Sequence, residues 1–326
     1  MRVFLTGGDG FLGQYVMAAL RAAGHDITAL AGEPTSPHRL RALGAARVVP
    51  GRLEKPEPWL AALAGHDAVV HLAAPVKVWG PWSLFREQIV TATQRLFQAA
   101  RQHNVRRFLY ASSETVHWGE DVTSLVGIDE DARFARHPYA GYSRAKQAVE
   151  RYLQAAAPHP TASVILRLPF LWGPGSKFLD ELATQARRGR LLWLGDPAMP
   201  IEAAHVVNAA HAVVLALERG RGRRAYFVTD QHDHTLGAFF RGLLRALRLP
   251  EPTRRVPVRG LRAWTRLAEG LWRGLRLPGK PFPMTRFELA FFTLPRRYRT
   301  ARSQHELGYR AVVSWEAGLA GLAAGA

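Results

Sequence analysis

Val3-Phe4-Leu5-Thr6-Gly7-Gly8-Asp9-Gly10-Phe11-Leu12-Gly13 lies at the start of the chain and decides its architecture. Three apolar residues read as a short buried strand. Tyr15, Val16, Ala19 and Leu20 then recur on one face of a helix that stops at Gly24. Between strand and helix, Gly7, Gly10 and Gly13 stand in the spacing G-x-x-G-x-x-G. The first glycine permits a tight turn, the second lets backbone approach a pyrophosphate, and the third lets helix and strand pack closely. The helix N-terminus, with Phe11 and Leu12 in its first turn, then offers unpaired N–H groups to phosphate.

The alternation continues downstream. Strand-like runs at 26–31, 47–49, 68–73, 107–112 and 163–168 are separated by helical patterns at 59–64, 84–101 and 142–157. This spacing implies right-handed crossovers and a parallel sheet covered on both faces, an α/β doubly wound fold. Past Gly173-Pro174-Gly175 the pattern weakens into helix, loop and proline. Residues 1–173 are expected to form the dinucleotide-binding domain. A return over 203–229, helix at 203–219 then strand at 225–229, completes it. Segments 174–202 and 230–326 are expected to form a smaller C-terminal substrate lobe.

Across 326 residues, 48% hydrophobic and 21% charged content excludes wholesale disorder. There is no cysteine, which removes disulfides, thiolate nucleophiles and cysteine-held zinc. Strand-like sequence from Arg2 leaves no room for a signal peptide, and no apolar run approaches the roughly 18–20 residues that span a bilayer. A cytoplasmic protein is expected. The net charge of +18 raises the question of nucleic acid, but no nucleic-acid motif accompanies it and no such partner is expected. His232, Asp233 and His234 lack further clustered ligands, so they read as a solvated turn and no metal is expected.

An acidic residue at the tip of the second strand would bind a ribose 2′-hydroxyl and repel a 2′-phosphate. Here the tip reads Leu30-Ala31-Gly32-Glu33, with His38, Arg39 and Arg41 downstream. NADP(H) is the expected cofactor, with Arg39 on its phosphate, while Glu33 keeps NAD(H) open. Tyr142 and Lys146 lie four apart, one turn along the same helix face. A phenol of pKa about 10 needs a neighbouring ammonium to act near neutrality, and Lys146 can also reach the nicotinamide ribose. Ser113 closes a buried strand at the carboxyl edge of the sheet, placed to hold a substrate oxygen. Tyr-x-x-x-Lys alone is a common surface pattern. Joined to Ser113 and the glycine loop, it points to an alcohol or ketone oxidoreductase.

Taken in order over essentially the whole chain, residues 6–13, His71-Leu72-Ala73-Ala74, Ser112-Ser113, Tyr142 with Lys146, and Trp172-Gly173-Pro174-Gly175 resemble the extended short-chain dehydrogenase/reductase family. The resemblance implies a Rossmann domain and a catalytic triad of Ser113, Tyr142 and Lys146. It also implies cofactor contacts at Leu53, Leu72, Ala73, Ala74 and Leu168, and a homodimer. Leu275-Arg276-Leu277-Pro278-Gly279, Met284-Thr285-Arg286-Phe287 and Glu306-Leu307-Gly308-Tyr309 are similar to the 3β-hydroxysteroid dehydrogenase branch. With Val78-Trp79-Gly80 they are most like its bacterial 2-alkyl-3-oxoalkanoate reductases. The chain departs from the family in three places. Gly51-Arg52-Leu53 replaces Gly-Asp-Leu, so a guanidinium stands where a carboxylate would contact adenine. Ile89 replaces a usual asparagine, with Gln88 beside it, and Leu166-Arg167-Leu168-Pro169 replaces Leu-Arg-Pro.

Residues 254–302 hold thirteen Lys/Arg against Glu269 and Glu288, so +11 of the net +18 lies there. Leu261, Trp264, Leu267, Ala268, Leu271, Trp272 and Leu275 recur at helical spacing, with Arg262, Arg266 and Arg273 between them. Two arrangements fit: a lid helix that packs this stripe on the core, or a helix over 259–277 lying on an anionic membrane surface. Either suits a greasy, anionic substrate, whose entry Trp264, Trp272, Phe282, Phe287, Phe291 and Phe292 are expected to line. The expected reaction is NAD(P)-dependent reduction or oxidation of a 3-oxo/3-hydroxy group on a lipid-like molecule, a 2-alkyl-3-oxoacid or a sterol. A nucleotide-sugar epimerase or dehydratase with retained NAD is the alternative. A redox sensor without turnover would have little need of the intact triad.

Overall fold

The computed structural model describes residues 1–32, 37–55, 59–75, 77–275, 277, 279–281 and 283–324. One parallel sheet contains β1 (Arg2–Thr6), β2 (Asp26–Ala31), β3 (Arg47–Pro50), β4 (Ala68–His71), β5 (Arg107–Ser113), β6 (Ala162–Leu168) and β7 (Arg224–Phe227). Their spatial order is β3-β2-β1-β4-β5-β6-β7. The order reverses between β1 and β4, and the crevice at their carboxyl ends is where folds of this kind take ligands.

The strands are apolar on both faces because helices cover both. Val3, Leu5, Val70, Leu109 and Leu166 pack with Val16, Met17 and Leu20 of helix Phe11–Ala22 and Val213 and Ala216 of helix Val206–Arg219. Phe4, Val69, Phe108 and Ile165 meet Leu96 and Phe97 of helix Ala92–Gln102 and Val149 and Leu153 of helix Gly141–Ala155. Three boundaries differ from expectation. The helix at 203–219 starts late, since Ala203–His205 is strand beside Phe170–Trp172 and the His205 ring caps Val206–Arg219. A π-turn over Arg86–Thr91 interrupts the helix at 84–101. The fourth strand stops at His71, whose ring is held by Thr6 at 2.7 Å and Thr93 at 2.9 Å.

A separate core of Trp172, Leu179, Leu182, Leu236, Phe239 and Leu243 organises the C-terminal elements. The chain then returns, and Arg296–Tyr298 pairs in parallel with Leu125–Ile128. This return brings Arg296 to Glu114 at 3.4 Å, Arg297 to Glu202 at 3.4 Å and Arg302 to Glu130 at 3.8 Å, all three carboxylates being buried.

Two expectations are corrected here. Helix Val258–Gly274 does not pack its apolar stripe on the core; it buries Thr265, Ala268 and Glu269, while Trp264, Leu267 and Leu271 face outward. Glu269 sets that rotation, because Arg286 holds it inside through both its backbone N–H and its guanidinium. The turn at His232-Asp233-His234 is not simply solvated. His234 is buried against Trp315, His232 stacks on it at 4.2 Å, and Asp233 pairs with Arg297. Among the described residues no group of three or more His, Asp or Glu is placed to hold a metal, and no helix is long and apolar enough to cross a membrane.

Beneath the sheet's carboxyl edge, Arg167 of β6 donates to Glu150 Oε2 from Nη2 at 2.8 Å and from Nε at 3.0 Å, and Nε also reaches Oε1 at 3.3 Å, with both side chains buried. Ser112 of β5 donates to the same carboxylate. Glu150→Ala would leave the guanidinium buried without its counter-charge. It is expected to lower the unfolding free energy by about 3–5 kcal/mol, measured by urea denaturation. A loss no larger than that of an exposed pair would contradict this.

Candidate active site

Gly7 adopts φ +76°, and a Cβ there would sit 2.8 Å from the Ala73 nitrogen. One at Gly13 would lie 2.0 Å from the Gly7 carbonyl oxygen. Both glycines are therefore dictated by the protein's own packing. Gly10 is different. A Cβ there would meet only the Gly7 oxygen, at 3.3 Å, and Gly10 starts helix Phe11–Ala22 without any side-chain cap. Open space before the positive end of a helix, with half-buried Phe11 and Leu12 behind it, fits a pyrophosphate.

Beside this turn lies a cavity of about 320 Å³, whose lining includes Gly7, Leu30, Gly32, Arg52, Leu53, Ala73, Ala74 and Gln88. Of the residues expected from sequence, Gly7, Leu53, Ala73 and Ala74 line it. Leu72 packs into the core, and Leu168 ends β6 directly opposite Ser113. Arg39 sits exposed on the short helix Pro37–Ala42, outside that lining. Arg52 does line the cavity, because β3 lies beside β2 with Ala31 opposite Pro50. Glu33 lies outside the described residues. Ile89 is buried and Gln88 reaches the cavity instead. Thr6, Asp9 and Pro75 also line it and were not anticipated. Thr6 could have been found as the polar end of β1; its hydroxyl receives the Ala73 N–H at 3.3 Å.

Tyr142, Lys146 and Glu150 succeed one another at one-turn intervals on helix Gly141–Ala155 and are all buried. Ser113 hydrogen-bonds the Tyr142 phenol. The Lys146 amine donates to the Ala111 carbonyl at 2.6 Å and lies 4.5 Å from the Tyr110 ring and 5.6 Å from the Tyr142 ring. Burial pushes the Tyr142 phenol up to about 12, with the Ser113 hydrogen bond opposing. Burial also pulls Lys146 down to about 7, with Glu150 opposing. The expected lowering of the phenol by an adjacent ammonium is thus reversed. Both groups have lost water, and desolvation is the largest cause of each shift.

A second cavity, about 470 Å³, opens between helix Val258–Gly274 and the loop leading to Tyr142. Its lining includes Tyr139, Arg262, Arg266 and Arg286 together with Val122, Leu289 and Leu294. Arg266 bonds Glu120 at 2.7 Å and Arg286 pairs with Glu120 and Glu269. Arg262 has no acidic partner among the described residues. Deeper in the lobe, Phe178, Leu182, Leu191, Trp193, Phe240 and Phe292 border an apolar slot of about 180 Å³. Phe287 packs on Trp118 and Phe291 on Phe170, whereas Trp264 faces away and Phe282 lies outside the described residues.

The profile of the NAD dependent epimerase/dehydratase family matches residues 3–228. The chain belongs to that family. Among its relatives, the 4-hydroxy-2-methyl-3-oxo-4-farnesyl-3,4-dihydroquinoline-1-oxide ketoreductase of Stigmatella aurantiaca is 33% identical over 98% of this chain and 95% of its own length. The 2-alkyl-3-oxoalkanoate reductase of Stenotrophomonas maltophilia is 31% identical over 98% and 97%. The fold is shared with the UDP-glucose 4-epimerase of Thermotoga maritima, with a TM-score of 0.76, 19% identity and coverage of 99% and 98%. The protein is an enzyme, an oxidoreductase of this family.

The shift at Lys146 has a consequence for stability. A lysine held at about 7 in the fold, against 10.5 ordinarily, contributes most above 10.5 and loses that contribution as pH falls through 7. Lys146→Met escapes the penalty. Its melting temperature relative to the parent is therefore expected to rise as pH is lowered across that window, while turnover disappears. A pH-independent difference would show that the amine is not desolvated.

Proposed function

We propose that this enzyme is an NADPH-dependent reductase of a 3-oxo group on a lipid-like acid, with a 2-alkyl-3-oxoacid as the best fit. The observation that carries the substrate class is the cavity beside Tyr139, which combines Arg262, Arg266 and Arg286, the last two paired with Glu120, with Leu289 and Leu294. A carboxylate suits the arginines and an alkyl chain suits the apolar side. The two relatives, one named for a farnesyl-bearing ketone and the other for alkyl oxoacids, support the reading.

Gly7, Gly10 and Gly13 with the first turn of helix Phe11–Ala22 would hold the pyrophosphate, Lys146 the ribose, and Arg52 a 2′-phosphate. When bound, the reduced nicotinamide supplies the hydride. Ser113 donates to the substrate carbonyl and fixes it beside Tyr142. The phenol, kept protonated by its burial, gives its proton to that oxygen as negative charge develops there. The protonated phenol is the form that a reduction requires. Each buried methylene of the alkyl chain adds about 0.8 kcal/mol before ordering losses.

The deciding experiment follows NADPH and NADH absorbance against 2-alkyl-3-oxoacids of increasing length, steroids and nucleotide sugars. kcat/KM should climb with chain length, Phe292→Ala should flatten the climb, and Trp264→Ala should leave it intact. Tyr142→Phe should lower kcat by about 10²–10⁴ with cofactor affinity unchanged within a few fold. Turnover of nucleotide sugars without lipid activity would replace this reading by an epimerase.

NADPH should be preferred, and Arg52→Asp should reverse the preference toward NADH in kcat/KM, since it exchanges a phosphate partner for a ribose partner. An unchanged ratio would remove Arg52 from cofactor selection.

A further inference from the structure

The outer face of helix Val258–Gly274 plays no part in the chemistry above. With Thr265, Ala268 and Glu269 turned inward, Trp264, Leu267, Leu271 and Leu275 are left 47%, 57%, 45% and 66% exposed. Together with Leu277 they are five of the eight large apolar side chains exposed among the described residues. Their three- and four-residue spacing makes one continuous stripe. Gly260, Gly270 and Gly274 adjoin open space, since a Cβ on any of them would touch nothing within 4 Å. Arg259, Arg262, Arg266 and Arg273 are exposed on the same helix.

We infer that helix Val258–Gly274 docks the enzyme on a bilayer surface rich in anionic lipid. Trp264, Leu267 and Leu271 enter the boundary of the acyl chains, and Arg259 and Arg273, on long apolar stems, meet the headgroup phosphates, while Arg262 and Arg266 face the substrate cavity. The charge favours this occupant over a second copy of the chain. Two identical faces would bring the exposed Arg259 and Arg273 of one helix against those of the other, whereas an anionic surface is complementary. The inference goes beyond the reductase reading and stands on the helix's outer face alone.

The test is flotation of the full chain with phosphatidylcholine vesicles, with and without about 30% phosphatidylglycerol, in the absence of substrate and cofactor. The chain should float with the anionic vesicles and not with the neutral ones, and about 0.5 M salt should weaken the binding. Leu267→Ser/Leu271→Ser should lower partitioning by at least about tenfold at unchanged melting temperature and NADPH affinity. Failure to float, equal partition into neutral vesicles, or a dimer that the double variant dissolves would each overturn the proposal. Vesicle binding by an enzyme that reduces no lipid ketone would refute the substrate reading and leave the docking in place.

Discussion

Arg167 and Glu150 meet at 2.8 Å with almost no exposure to solvent, and the geometry of the candidate site depends on that pair. Arg167 belongs to β6, Glu150 to the helix of Tyr142 and Lys146, and Ser112, bonded to the same carboxylate, to β5. One charge pair therefore clamps three elements, each carrying part of the site. Ion pairs this deep are favourable only when every donor is used. Here the remaining guanidinium nitrogen donates to the Glu130 carbonyl at 2.8 Å and meets the His117 ring at 3.2 Å. Phe134 and Phe227 lie at 5.2 and 5.6 Å from its centre.

The chemistry is tuned by dryness more than by neighbouring charge. Tyr142 keeps its proton because its phenolate would be desolvated, and Lys146 loses affinity for its proton for the same reason. His71, between Thr6 and Thr93, is pulled down to about 3 by burial and by Lys146, so it stays neutral and acts as a hinge of hydrogen bonds. The carboxyl edge of the sheet thus carries little net charge of its own.

The sheet was legible because buried parallel strands are apolar on both faces, so β1, β2 and β4 to β6 announce themselves as runs. The glycine loop was legible because its spacing answers a steric demand, as the Gly13 contact of 2.0 Å illustrates. Position in space was harder. Arg39 follows β2 in the chain, whereas Arg52 reaches the cavity through the tip of β3, and only strand pairing makes those tips neighbours. The orientation of helix Val258–Gly274 was also hidden. Its apolar positions cover more than half its circumference, and a single buried carboxylate, Glu269, chooses which part faces inward. The sign of the Tyr142 shift depended on burial, which spacing along a helix does not report.

The return of the chain at Arg296–Tyr298 bears on how the protein is made. Glu114, Glu130 and Glu202 are buried carboxylates, and their cationic partners Arg296, Arg302 and Arg297 all come from one late segment. During synthesis nearly three hundred residues emerge before any of those arginines. The nascent sheet must therefore hold three acids that are protonated, hydrated or left outside the core. Completion of the tail is what supplies these three acids with the arginines that face them in the folded state.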